Sequence, residues 1–214
     1  MALVGTESFE EQKIDAWHRL WEDLEIGYLD TDILDVLIEF FLRPKSFTKS
    51  SCSGRVTVID AEYPWAKDET MTIFKKHSVV TKREIEEVLL KPHSSNLWLS
   101  VQGPIYHVYV EDFEEAEEVL RIAREAGFKH SGIMVLGQPL LVELRTGVRA
   151  DILLATPESM VASLEKLGDI VAIANKVLLQ AKERNRRLLE ALRRRRPPRL
   201  WGPALERAKT MRLL

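Results

Sequence analysis

Nine consecutive residues, Phe47-Thr48-Lys49-Ser50-Ser51-Cys52-Ser53-Gly54-Arg55, gather four hydroxyl side chains, the only cysteine of the chain, a glycine and two cations. Hydroxyls and exposed backbone N–H groups beside Lys49 and Arg55 suit an anion or another polar ligand. The same residues also suit a hydrogen-bonded turn around a buried, inert thiol. Three further groups can move a proton: His77, His107 and Asp60. The reference pKa of histidine, about 6.5, fits general-base work near neutral pH. Cys52 paired with either histidine would be the arrangement of a thiol-dependent hydrolase.

Several common chemistries are excluded. The ten glycines include no Gly-x-Gly pair, so the Rossmann phosphate fingerprint is missing. Walker A, His-Glu-x-x-His and nucleophile-elbow motifs are missing as well. A single cysteine rules out an internal disulfide and a cysteine-built zinc site, and no metal is expected. No apolar run reaches the roughly 20 residues of a membrane helix. The stretch Met1–Glu7 lacks the pattern of a secretory leader, so a cytoplasmic setting without a membrane partner is expected.

The elements that must carry these residues follow from periodicity. Ser8-Phe9-Glu10-Glu11 is a capping box, and Ile14, Trp17, Trp21 and Leu24 recur at helical spacing behind it. A second helix carries Ile33, Val36, Leu37, Phe40 and Phe41 and closes at Pro44. The Ser/Cys stretch then reads as a loop. Val56–Asp60 reads as a strand, 61–69 as a loop, and 70–80, with His77, as a second strand. Thr81 opens a short helix to Pro92. Strands follow at 97–101 and 105–110, a helix from Asp112 to Gly127, and strands at 131–136, 140–145 and 148–154. Gly137-Gln138-Pro139 reads as a hairpin turn. Thr156-Pro157-Glu158 opens a long C-terminal helix running to Leu192, with Gly168-Asp169 as a kink. The expected fold is α+β: one mixed, largely antiparallel sheet, flanking helices, two N-terminal helices and a long basic C-terminal helix. A single domain over 1–196 is expected, with 197–214 as a basic tail.

The net charge of −2 hides an asymmetry. Residues 182–214 carry +9 and residues 1–181 carry −11. The unbroken run Arg193–Arg196 points to a polyanion such as nucleic acid. A non-catalytic RNA-binding protein, using the Ser/Cys stretch and the basic tail, is one reading of this pattern.

Several segments together resemble the wybutosine-synthesising protein 3 family of tRNA methyltransferases, most closely its archaeal members. Phe47–Arg55 is similar to the family's Ser-Ser-Cys-x-Gly-Arg signature, followed by a strand ending in Asp60. His77 falls where the family has a strand histidine. Pro104-Ile105-Tyr106-His107-Val108 resembles its Pro-x-x-x-His-Val strand, and Ala126–Ile133 its Gly-Phe-(Arg/Lys)-x-Ser-Gly-Ile segment. Glu143-Leu144-Arg145-Thr146 matches a strand ending in Arg-(Ser/Thr), and Asn175 begins the pattern of its long C-terminal helix. The resemblance covers about residues 30–195.

It implies an enzyme without the Rossmann fold that uses S-adenosylmethionine. The reaction methylates N4 of 4-demethylwyosine, or of its 7-aminocarboxypropyl form, at position 37 in the anticodon loop of tRNA(Phe). On that resemblance His77, His107 and Asp60 are the candidate proton acceptors. Ser50, Ser51, Ser53, Gly54, Ser131 and Gly132 are candidates for the cofactor. Lys49, Cys52, Arg55, Arg145, Arg193 and Arg194 are candidates for the RNA substrate. No step of methyl transfer requires a thiolate, so Cys52 is expected to pack or touch substrate. Trp65, Trp98 and Tyr106 are candidate stacking partners for a base.

Overall fold

The structure, a computed structural model, describes residues 7–65 and 71–214. In chain order its elements are α1 (Phe9–Glu25), α2 (Leu34–Leu42), β1 (Ser46–Cys52), β2 (Arg55–Ala61), β3 (Met71–Lys76), α3 (Lys82–Leu89), β4 (Asn96–Gln102), β5 (Ile105–Val110), α4 (Phe113–Glu125), β6 (Gly132–Val135), β7 (Leu140–Arg145), β8 (Arg149–Ala155), α5 (Leu167–Arg194) and α6 (Gly202–Thr210). They group into two compact units with interleaved chain segments. The first holds the residues up to Cys52, Ile105–Arg145 and Arg184–Leu214; the second holds Ser53–Pro104 and Thr146–Glu183. Among the described residues every strand pairing is antiparallel, in two four-stranded sheets where one was expected.

In the first unit the sheet order is β1-β5-β7-β6. One face alternates cleanly: Tyr106, Val108 and Val110 of β5 are buried with Val142 and Leu144 of β7. Against that face lie α2, apolar almost all round, and α4, whose Ala116, Val119, Ile122 and Ala123 point inward. Trp17 of α1 makes edge contacts with Phe41 and Trp201. Lys13 of α1 is buried and donates to the carbonyls of Arg43, Pro44 and Ser46. In the second unit the order is β3-β2-β4-β8. Val56, Val58, Leu99 and Val101 pack there against Ile85 of α3 and against Leu167, Ala174 and Leu178 of α5. Asn175 holds the strand-to-helix connection by accepting from Val80 N–H at 2.9 Å and donating to its carbonyl at 2.8 Å.

Four sequence expectations change. Phe47–Arg55 is not a loop: only Ser53 and Gly54 lie between β1 and β2. Serine-rich segments favour turns because their hydroxyls compete for backbone partners; here β5 supplies those partners from Ser46↔Val110 to Cys52↔Ile105. The second strand stops at Lys76, so His77 sits in the bend after β3. The long helix starts at Leu167, because Thr156 and Ser159 close a turn on each other through both backbone bonds. Segment 197–214 belongs with the first unit: Trp201, Ala204 and Ala208 are buried in its core, which the net charge of the segment concealed. The expected start of a strand at Thr70, the loop over 66–69 and most of the N-terminal stretch lie outside the described residues.

The basic run is largely neutralised within the first unit. Arg196 forks onto Glu39 and Arg193 reaches both Glu39 and Asp35. Arg195 pairs with Glu118 and Glu125. Glu39 is only 2% exposed, so these arginines compensate a buried charge on α2.

Candidate active site

β1 and β5 bring the chemistry of the signature onto one sheet face. A bulge between Thr48 and Ser50 leaves Lys49 without a partner in the register. The extra residue changes the parity of the strand. Thr48 and Ser51 therefore stand opposite the core-facing Val108 and Tyr106, whereas Ser50 stands opposite His107 on the other face. Across that open face the register reads Ser50↔His107, His107↔Glu143 and Gly132↔Glu143. Ser50, His107, Glu143 and Gly132 thus form one row across all four strands.

His107 Nε2 lies 3.3 Å from Glu143 Oε2. The two side chains are 31% and 16% exposed, so the pair is sheltered yet reachable. A carboxylate only accepts, so Nε2 carries the proton and Nδ1 is the basic nitrogen of the neutral ring. Nδ1 makes no hydrogen bond among the described residues. This is the arrangement of a base held by an orienting group. The sequence reading gives Glu143 no role. Its signal was available: it is a carboxylate on an otherwise apolar strand, two residues from Arg145 and so on the same face.

The neighbouring candidates of this unit divide. Cys52 is half-buried. The Arg145 side chain is exposed at the end of β7. Ser131 is structural: its hydroxyl donates to Phe128 O at 2.8 Å and accepts from Arg145 N–H at 3.0 Å. Gly132 has open space where a side chain would stand. Tyr106 is fully buried with its hydroxyl on Asn185 at 2.8 Å, so it is not available for base stacking. Arg193 is ion-paired as described, while Arg194 is exposed and makes no ion pair with a described residue.

Ser51 faces a cavity of about 260 Å³ between α1 and β1. Asp15, Arg19 and Asp23 contribute from α1, Thr48 and Lys49 from β1, and leucines form the apolar part. The Ser51 hydroxyl is buried there without a hydrogen-bond partner. Asp23 Oδ1 is in the same condition, although Arg19 Nη2 stands 2.8 Å away, off hydrogen-bond geometry.

The second unit holds the other half of the signature. Ser53 is fully buried, and its hydroxyl accepts from Lys182 at 2.8 Å. Gly54 has φ +97, and a Cβ there would lie 3.2 Å from the Gln102 carbonyl. Gly54→Ala is expected to lose about 1–3 kcal/mol in urea unfolding, from left-handed strain plus that contact. Arg55 Nε donates to Gln102 Oε1 at 2.9 Å. His77 is half-buried after β3. Asp60 is a loop anchor: one oxygen accepts from Ser94 N–H and Oγ at 2.8 and 3.1 Å, the other from Ser95 N–H at 2.7 Å. Burial pushes its pKa up, but the bonds from the Ser94 and Ser95 backbone and the Ser94 hydroxyl outweigh that, and the net shift is downward. A carboxylate so held is a poor proton acceptor. Trp98 donates to Ala61 O at 3.2 Å, whereas Trp65 is 70% exposed and stacks on Tyr63.

The profile described as Methyltransferase TYW3 matches residues 11–194. A relative from Saccharolobus solfataricus is 44% identical over 86% of this chain and 89% of its own length. It is named tRNA(Phe) 7-((3-amino-3-carboxypropyl)-4-demethylwyosine(37)-N(4))-methyltransferase. A relative of the same activity from Pyrococcus horikoshii is 35% identical over 86% of this chain and 94% of its own. Among solved structures, the PH1069 protein of P. horikoshii superposes with a TM-score of 0.80 at 33% identity, covering 86% of this chain and 96% of that one. No helix among the described residues is long and apolar enough to cross a membrane. A profile match over most of the chain, with relatives this similar along nearly their whole length, shows that the chain belongs to the TYW3 methyltransferase family.

Proposed function

We propose that this protein methylates N4 of 4-demethylwyosine or its 7-aminocarboxypropyl form at position 37 of tRNA(Phe), with S-adenosylmethionine as methyl donor. The observation that carries the reading is the row Ser50, His107, Glu143 and Gly132 on the open face of the first sheet. That face fits a sulfonium-bearing donor. It has room beside Gly132, an exposed hydroxyl at Ser50, and the Glu143 carboxylate to receive positive charge.

Bound there, the donor supplies a methyl group on a positively charged sulfur, which leaves as a neutral thioether. No acid is then needed for departure, and the work of the chain is alignment and removal of one proton. His107 takes the proton of N4 at Nδ1 as the nitrogen's electron pair forms the new bond to carbon. Glu143 holds the ring by Nε2–H and stabilises the imidazolium that results. Ser50 lines the same face. Arg145, at the strand end, holds RNA phosphate. Ser53, Gly54 and Asp60 shape the second unit. The exposed Tyr63–Trp65 stack gives an unpaired base a flat surface.

The test is incubation of the purified protein with S-adenosylmethionine and tRNA(Phe) lacking this methyl group, followed by mass analysis of the nucleosides. A gain of one methyl at the tricyclic base is expected; an unchanged nucleoside overturns the reading. The basic run makes a second prediction. Arg194→Ala is expected to weaken tRNA binding and reduce the slope of log affinity against log salt by about one, with stability unchanged. Arg196→Ala is expected to cost about 2–3 kcal/mol in urea unfolding, because Glu39 loses its bidentate partner.

A further inference from the structure

We propose that the cavity between α1 and β1 binds a 3-amino-3-carboxypropyl group, the zwitterionic three-carbon arm of an α-amino acid. Three observations point there. First, two of the three buried side-chain polar atoms without a hydrogen-bond partner among the described residues, Ser51 Oγ and Asp23 Oδ1, line this one cavity. Buried polar groups are nearly always satisfied, so the orphaned Ser51 hydroxyl, beside an Asp23 oxygen held only by its ion pair to Arg19, calls for a polar guest. Second, the charges of the lining balance: Asp15 and Asp23 against Arg19 and Lys49. A phosphate or a simple carboxylate would meet both acids, and an amine alone would meet both cations. A zwitterion meets each with its opposite, the ammonium on Asp15 and Asp23 and the carboxylate on Lys49 and Ser51 Oγ. Third, leucine side chains cover the rest, which suits methylenes. The cavity of about 260 Å³ lies below the roughly 300–1,000 Å³ of pockets for whole drug-sized ligands, so it takes an arm and not a tricyclic nucleoside. The bulge at Lys49 makes the site, because it alone turns Ser51 onto the cavity side while Ser50 stays on the catalytic face.

Two molecules of the proposed reaction carry this arm: S-adenosylmethionine on its sulfur, and the aminocarboxypropyl form of the base. For the source of the arm the inference rests on the methyltransferase reading; for the chemistry of the pocket it does not. Titration calorimetry separates the sources. S-Adenosylhomocysteine and 5′-methylthioadenosine differ by the arm, as do tRNA(Phe) samples with and without the aminocarboxypropyl group on the base. The intact protein is expected to favour the arm-bearing member of at least one pair. Ser51→Ala, Asp15→Asn and Lys49→Met are each expected to reduce that preference about tenfold, the scale of one hydrogen bond to a charged group, while affinity for the armless member is unchanged. Loss in the nucleoside pair assigns the arm to the donor, and loss in the tRNA pair assigns it to the base. An unchanged preference in both pairs overturns the pocket.

A second measurement keeps the two readings apart. In an amide NMR titration with L-methionine, shifts over residues 15–23 and 48–51 that vanish in Ser51→Ala support the pocket even if methylation fails. No shift at those amides overturns it even if methylation succeeds. The thermal midpoint of Ser51→Ala is expected to match or exceed that of the parent, because the deleted hydroxyl has no partner in the free protein. A lowered midpoint would mark Ser51 as a structural partner and overturn the assignment.

Discussion

Replacing His107 with alanine is expected to lower kcat for methyl transfer by about 10²–10⁴-fold, the usual contribution of a positioned general base, with KM for tRNA little changed. The substrate nitrogen must lose a proton while its leaving group needs none, so a single base carries most of the side-chain chemistry. His107 is the only histidine described on the open face of the first sheet, and Glu143 is at 3.3 Å from its Nε2. Glu143→Gln tests the division of labour. Glutamine keeps a hydrogen-bonding atom beside Nε2 but removes the negative charge that stabilises the imidazolium. A smaller fall in kcat is expected, with KM for tRNA little changed. A merely structural Glu143 would lower stability and leave kcat of the folded enzyme unchanged. If His107→Ala retains full turnover, proton removal belongs to another group. Cys52→Ala is the contrasting case: no covalent step needs the thiol, so activity should persist in part, from alignment alone.

Lys13→Met is expected to destabilise the protein by about 3 kcal/mol, the largest effect of any substitution outside the site. Lys13 is fully buried. Its ammonium donates at 2.5, 3.1 and 2.8 Å to the carbonyls of Arg43, Pro44 and Ser46, which close the turn from α2 into β1. The Trp201 ring centroid lies 4.7 Å away on another side. Methionine keeps the volume and avoids burying a charge, which argues for a small effect. It also leaves three carbonyls of a tight turn without a donor in a dry setting, and that effect is the larger. The loss should depend on pH. Burial pulls the Lys13 pKa down to about 7, against the opposing pull of Glu10, Glu115 and Glu111. Between about pH 7 and the ordinary lysine value near 10.5, the unfolded chain therefore holds a proton that the folded chain lacks. Stability from this residue rises with pH across that window. The gap between parent and Lys13→Met should widen from pH 7 to pH 10 in urea unfolding. A constant gap would show that the ammonium keeps its proton in the fold.

Local pattern carried much of this protein. Capping boxes at Ser8 and Thr81 form as read, with Glu11 and Glu84 closing them. The alternation in Ile105–Val110 placed His107 and Tyr106 on opposite faces, as the burial pattern of β5 shows. Such features depend on contacts within a few residues, so the local sequence is enough to specify them. The absence of Gly-x-Gly likewise excludes the Rossmann phosphate fingerprint from local sequence alone.

What the linear order concealed depends on partners distant in the chain. Asp60 looked like a spare acid at a strand end, but Ser94 and Ser95, over thirty residues on, occupy both of its oxygens. The run Arg193–Arg196 looked like an open basic strip, yet Glu39, Asp35, Glu118 and Glu125 take up three of its four charges. Composition counts charges without regard to pairing, and pairing is set by which helices pack together. The Ser/Cys stretch shows the same division. Residue types alone made Phe47–Arg55 chemically suggestive. Whether it was a loop or a strand depended on β5, because only that neighbour satisfies its backbone groups. The single bulge at Lys49 then sent Ser50 toward His107 and Ser51 toward the cavity, a choice of face that depends on register between strands and is not encoded in either strand alone.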